Sequence, residues 1–287
     1  MSFLDRRAGG AALALIMALG GCIDVDGIVY DLGEGGAGLG GWGVGGAIPE
    51  GGGGSGRSYF DVVMDDAPAG FWRFNEASSA EVLDSSGNDH HALSVLGDGT
   101  IERDVVGALF SNDPDAAIAL SGGAYVILSP NPFDLSGLAP YTFEAWVDVA
   151  EATNPPHLFL WIEETPPDNS GMQTFLWADS AYHKRYDGAG GFEEISESPT
   201  VLSDGYHHLV ITFDGANARI YIDGALVTDP DPPDFVLPIP SIGSAMILAD
   251  TQTGTTLYLD ELALYDHALD LTRVEAHYQC GANADCP

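Results

Sequence analysis

The residues best equipped for chemistry come in clusters. His90 and His91 follow Asp89, and His207 and His208 open the stretch GYHHLVITFDGANARIYIDGALV (205–227), which also carries Asp214 and Asp223 in Asp-Gly steps. Imidazoles and carboxylates packed this closely are the donor set of a metal centre. The elements that must position them argue otherwise. Leu209, Ile211 and Phe213 alternate with Val210 and Thr212, which is the period of a strand. FDGAN then turns, ARIYI is a second strand, and Asp223-Gly224 makes a two-residue hairpin in which glycine tolerates positive φ. Asp214 and Asp223 thus have a sufficient role as turn formers. His207 and His208, neighbours entering a strand, point to opposite faces and can share a metal only across a bulge. The doublet at 90–91 is open to the same objection.

Further strands are expected over 124–128, 141–149, 157–163, 172–179 and 256–266, separated by SPNP, PPDNSG, DGAGG and DPDPPD. A helical pattern is confined to LDLTRVEAHYQ, where Asp270 can cap and Val274 and Tyr278 lie one turn apart. Many short strands with almost no helix predict an all-β, two-sheet antiparallel jelly-roll sandwich.

Composition narrows the function. The 287 residues include 43 acids and 9 bases, with Lys184 the single lysine. Phosphate binding needs a basic footprint, so nucleic acid is excluded as a partner. The acidity reads first as solvation, and secondarily as a supply of oxygen ligands for a hard cation.

The N-terminus predicts export. Arg6 and Arg7 precede an apolar run, AGGAALALIMALG, that suits a signal peptide and is short for a membrane span. Leu19-Gly20-Gly21-Cys22 resembles the lipobox of bacterial lipoprotein precursors, which implies cleavage after residue 21 and a lipid on Cys22; an ordinary secretory signal is the alternative. Removing 1–21 leaves 42 acids and 7 bases, a net charge of −35. Ile23 is not an aspartate retention signal, so the anchor is expected in an outer membrane or at the cell surface. Residues 22–57 form the lipidated, glycine-rich tether, with 14 glycines between Leu32 and Gly56. One domain is expected over 58–279. Cys280 and Cys286 then close a short tail (280–287) by a disulfide.

The ordered segments APAGFWRFNE (67–76), DSSGNDHHAL (84–93), YTFEAWVDV (141–149), the stretch 205–227, LDELALYDHAL (259–269) and RVEAHY (273–278) resemble the laminin G-like, concanavalin A-like jelly rolls of bacterial exported proteins. Tyr206 stands where that family usually has tryptophan, one aromatic for another. The resemblance implies a convex and a concave sheet, and binding of glycans or extracellular proteins. Related glycosidases carry Glu-x-Asp-x-x-Glu on one strand; here WVDVAE (146–151) keeps Asp148 and Glu151 but begins with Trp146. Two positioned carboxylates are needed for that chemistry, so no enzyme is expected.

The resemblance also implies a structural calcium between the loop after the first strand and the penultimate strand, which puts Asp84 and Asp260 forward as ligands. Alternatively Asp84 starts a turn and Asp260 sits on a solvated strand. For the ligand face, Trp161, Trp177, Tyr182 and Tyr186 fall in the middle strands, and Lys184 and Arg185 add positive charge suited to an anionic glycan. Core packing for the tryptophans and edge protection by the cations is the competing reading. The expectation is a monomeric, noncatalytic surface lipoprotein, held to the membrane only by its lipid. It would bind extracellular carbohydrate; the alternatives are adhesion to a cell-surface protein and a divergent glycoside hydrolase.

Overall fold

The computed structural model describes residues 56–110, 115–150, 155–160, 170–197, 202, 204–228, 235–239, 245–284 and 286. The signal, lipidation and tether assignments and Trp161 lie outside them.

In chain order the elements are helix α1 (Tyr59–Asp65); strands β1 (Gly70–Trp72), β2 (Glu81–Val82), β3 (Ala92–Val95), β4 (Thr100–Val106), β5 (Ala116–Ser121), β6 (Tyr125–Leu128), β7 (Tyr141–Ala150), β8 (His157–Leu160), β9 (Ser170–Trp177), β10 (Ser180–Asp187), β11 (Phe192–Glu197), β12 (His207–Phe213), β13 (Ala218–Ile222), β14 (Ala225–Leu226), β15 (Met246–Asp250) and β16 (Thr256–Tyr265); and helix α2 (Leu271–Asn283). One sheet runs β14-β13-β12-β7-β16-β5-β4, with β1 beside β16. The other runs β11-β10-β9-β8-β15-β6-β3-β2. All pairs are antiparallel, as in the expected jelly-roll sandwich.

Alternation builds the core. Leu209, Ile211 and Phe213 of the first sheet share one apolar cluster with Met172, Leu176 and Ala181 of the second. Asp223 (φ 51°) and Gly224 (φ 76°) both take positive φ, as a type I′ hairpin demands. Asp214 nucleates the neighbouring turn by accepting from the backbone N–H groups of Ala216 and Asn217 at 3.0 and 2.7 Å.

A second cluster covers the outer face of the first sheet. Tyr59, Val62 and Val63 of α1 and Val274 of α2 pack there on Phe71, Trp146 and Tyr265. Asp270 caps α2, accepting from the Arg273 N–H at 3.0 Å. Helix α1 is an addition to the sequence reading, and its signal was present: Ser58 and Asp61 satisfy each other's backbone N–H in a capping box. Cys280 and Cys286 are joined, closing the C-terminal loop. Among the described residues, no helix is long and apolar enough to cross a membrane.

Candidate ligand-binding face

Beneath the helices sits a polar network that sequence patterning did not foresee. Glu144 of β7 is fully buried and accepts from Tyr59 Oη (2.9 Å), Tyr265 Oη (2.8 Å), His208 Nε2 (2.8 Å) and His277 Nδ1 (3.0 Å). His277 Nε2 donates to Asp66 at 2.8 Å, and Asp66 also accepts from Arg273 Nε at 2.8 Å. With a carboxylate on each nitrogen, His277 is an imidazolium. Burial opposes that charge, but the two anions overcome it and raise its pKa to about 9. Glu144 is held well below the carboxylate range by His277 and His208, despite its burial. The network fastens α1 and α2 to the sheet, and its saturated carboxylate has no access to substrate. His207 turns away from it and pairs with Asp223 at 2.8 Å. The two histidines of the doublet therefore serve different partners.

The outer face of the second sheet has another character. Along β9 and β10, Phe175 lies opposite Tyr182 and Gln173 opposite Lys184, while Thr174 faces His183 and Met172 faces Arg185. The first two pairs point outward and the last two point into the core. Trp177 is half-buried on the outer face, stacked 6.2 Å from Phe175 and edge-on to Tyr182 at 5.3 Å. Tyr186 lies 6.2 Å from Phe192 of β11. Lys184 sits between the Phe175 and Phe192 rings, 5.5 and 5.2 Å from their centroids, and pairs with Glu194 at 2.5 Å. Thus Trp177, Tyr182, Lys184 and Tyr186 come together on one surface, joined by Phe175 and Phe192. Those two phenylalanines are not foreseen because nothing in the sequence fixes the register of β9 and β11 against β10.

Arg185 does not belong to this face. It is fully buried between the sheets, its guanidinium 3.9 Å from the Phe213 centroid, and donates through Nη2 to the Gly137 carbonyl at 2.9 Å. Strand alternation forces this: adjacent residues cannot both face outward. His183 beside it is also buried, between Tyr141 (2.6 Å) and Thr174 (3.0 Å), and burial with the nearby Arg185 charge lowers its pKa to about 3. It is neutral.

The two aspartates put forward as metal ligands have different surroundings. Both Asp84 carboxylate oxygens are filled by donors: Oδ1 by the Phe71 and Ser86 N–H groups (2.9 Å each), Oδ2 by Ser86 Oγ (2.8 Å) and the His90 N–H (3.0 Å). A carboxylate engaged this way matches the alternative reading of Asp84 as a turn former. Asp260, far from being solvated, is fully buried, and burial beside Glu261 and Asp115 raises its pKa well above normal. Ligand atoms of Asp115, Asp260 and Glu261 all lie within 4.8 Å of one another. Arg73 reaches Glu261 at 2.8 Å, yet burial still lifts the Glu261 pKa to about 8. Asp115 Oδ1 has no hydrogen-bond partner among the described residues.

A two-sheet sandwich with one sheet face under helices and the other bearing aromatics can now be compared with known proteins. Residues 120–275 match the laminin G-like family described as the concanavalin A-like lectin/glucanases superfamily. The chain belongs to this superfamily. A search of curated proteins finds no match. Among solved structures, the botulinum neurotoxin serotype G binding domain superposes with a TM-score of 0.56 at 15% identity, covering 74% of this chain and 50% of that one. The serotype D ligand-binding domain in complex with N-acetylneuraminic acid gives 0.54 at 14%, covering 77% and 52%. The binding domain of Paraclostridial Mosquitocidal Protein 1 gives 0.51 at 17%, covering 75% and 52%. The chain spans about half the length of these structures, and at such identity the likeness concerns the fold. These neighbours are binding domains, while the superfamily's name spans both lectins and glucanases.

Proposed function

We propose that this superfamily member is a noncatalytic carbohydrate-binding module, displayed outside the cell on a lipid-anchored, glycine-rich tether. The observation that carries the reading is the outward row Trp177–Phe175–Tyr182 with Lys184 and Tyr186 beside it. Aromatic rings offer flat apolar surfaces to sugar C–H groups and phenol or indole edges to hydroxyls. The binding-domain neighbours and the saturation of Glu144 favour binding over hydrolysis.

The charge arrangement selects the kind of glycan. Lys184 is already compensated by Glu194 and two ring faces, Arg185 is buried, and the whole chain carries −34. An anionic glycan would meet no free cation here and a repulsive background field. The proposed ligand is therefore a neutral polysaccharide, in place of the anionic one that the sequence suggested.

Calcium enters this proposal as a structural ion. Asp260 with Asp115 and Glu261 would supply its oxygen ligands, and the ion would offset the charge that these groups carry when ionised. Asp84 has no part in it.

A glycan array, run in calcium and again in chelator, tests both parts. Selective binding of neutral glycans supports the module, and its loss in chelator ties the ion to the binding-competent fold. A folded protein that ignores every glycan would overturn the reading and point to a protein partner.

A further inference from the structure

A separate cleft of about 590 Å³ lies between the 84–90 turn, the 132–135 loop and the end of β16, away from the residues of the aromatic face. Its volume suits one sugar-sized group. Phe133 lines it, with His90 edge-on to the ring at 5.1 Å.

The polar groups on its wall have one property in common. Asn88 Nδ2 donates to the Pro68 and Ala69 carbonyls (3.3 and 3.2 Å), which fixes the orientation of the amide and leaves Oδ1 as its open atom. His90 Nδ1 lies 2.9 Å from the Ala69 carbonyl, which can only accept, so Nδ1 carries the proton. The ring atom left without a partner is then Nε2, which is an acceptor on a ring that carries one proton. Ser86 Oγ is engaged, donating to Asp84 and accepting from Asn88. Asp134 and Asp266 are exposed carboxylates on the same wall, and no lysine or arginine lines it. The cleft thus offers two anionic and two neutral acceptors and no free side-chain donor among the described residues.

We infer that this cleft binds an amino sugar with a free, protonated amine. The two carboxylates call for a cation, and the acidic chain adds a favourable field. Asn88 Oδ1 and His90 Nε2 call for neutral donors, which sugar hydroxyls supply. A lysine side chain carries all its donors on one ammonium head, whereas an amino sugar also spreads hydroxyl donors around its ring. Phe133 provides an apolar or cation–π contact for the ring.

Titration of the full chain with glucosamine, glucose, N-acetylglucosamine and Nα-acetyl-lysine methylamide by ligand-observed NMR at neutral pH decides this. Glucosamine should bind roughly tenfold more tightly than each of the others, a gap of about 1.4 kcal/mol. The double change Asp134→Asn, Asp266→Asn should remove that preference. Both positions are exposed and Asn keeps the Asp134 acceptor for the Ser136 N–H, so the fold is retained. Trp177→Ala should leave the preference for glucosamine over glucose unchanged, which separates this cleft from the aromatic face, itself proposed to take neutral sugars. Equal binding of N-acetylglucosamine, equal binding of the lysine probe, or an unaffected double variant would each overturn the inference.

Discussion

Lys184 and Arg185 are consecutive in β10 and serve opposite faces of one sheet: the lysine lies over Phe175 and Phe192 outside, the arginine over Phe213 inside. The same pair type therefore has two energetic characters. Arg185 Nε and Nη1 lack hydrogen-bond partners among the described residues, so its burial is only partly compensated. An apolar side chain of similar length removes that desolvation cost. Arg185→Met is expected to leave thermal stability within about 1 kcal/mol or to raise it, read by denaturant melts. A loss of several kcal/mol would show that the guanidinium has compensation beyond Gly137 and Phe213.

Trp177 tests the binding face directly. It is half-buried, packs on Phe175 and Tyr182, and leaves part of its indole to solvent. If that surface receives the glycan, Trp177→Ala should weaken binding by about 2 kcal/mol, roughly thirtyfold, as a central aromatic contact does. Lys184→Ala should weaken neutral-glycan binding far less, since its charge is already paired with Glu194. Calorimetry on both variants reads the contrast. A larger effect at Lys184 than at Trp177 would restore the anionic ligand.

The clasp between α1, α2 and the first sheet has a defined pH window. Burial opposes charge on His277, but Glu144 and Asp66 outweigh it and set the pKa at about 9, above its unfolded value near 6.5. A raised folded pKa means that its stabilisation is complete below about 6.5 and declines as pH rises toward about 9. Glu144 and Asp66 are lowered, so their stabilisation is present above the ordinary carboxylate range and is lost on acidification. His277→Asn should flatten the decline between neutral pH and about 9 that wild type shows in urea melts. Glu144→Gln should cost about 3–5 kcal/mol at neutral pH, because it removes the anion from a buried charged network. A slope unchanged by His277→Asn would mean that another group carries the alkaline loss.

How much of this was legible differs by level. Alternation from Leu209 to Phe213 and the Asp223-Gly224 hairpin announced strands and turns, because those signals are local. The pairing of Phe175 with Tyr182 was not legible, since register between β9 and β10 is settled by packing on the opposite sheet. Arg185 was misplaced for a simpler reason. Within YHKRY (182–186) the strand period of two, which also parts His207 from His208, puts Lys184 and Arg185 on opposite faces. At Asp84 the resemblance implies a ligand, whereas the turn signal of DSSGND is local and matches the four hydrogen bonds that its carboxylate accepts. Asp115, which meets Asp260 across the fold, could only be found in three dimensions.

The buried carboxylates Asp115, Asp260 and Glu261 lead to the last prediction. Fully ionised they would carry more negative charge than Arg73 offsets, and burial raises Glu261 to about 8 and Asp260 well above normal. A raised acid pKa means that folding favours the protonated form, so stability falls as pH rises from the unfolded Glu value near 4.5 toward about 8. A cation bound here would replace the protons and cancel that loss. Calcium should therefore raise the melting temperature much more at pH 8 than at pH 5, by an amount equivalent to about 2.7 kcal/mol at a hundredfold excess over Kd. Asp115→Asn should diminish the calcium response and also reduce the alkaline loss, since it removes one of the repelling charges. Terbium luminescence titrated against calcium checks occupancy independently of melting. Equal calcium effects at both pH values, or a calcium response untouched by Asp115→Asn, would place any ion elsewhere and leave this cluster neutralised by protons alone.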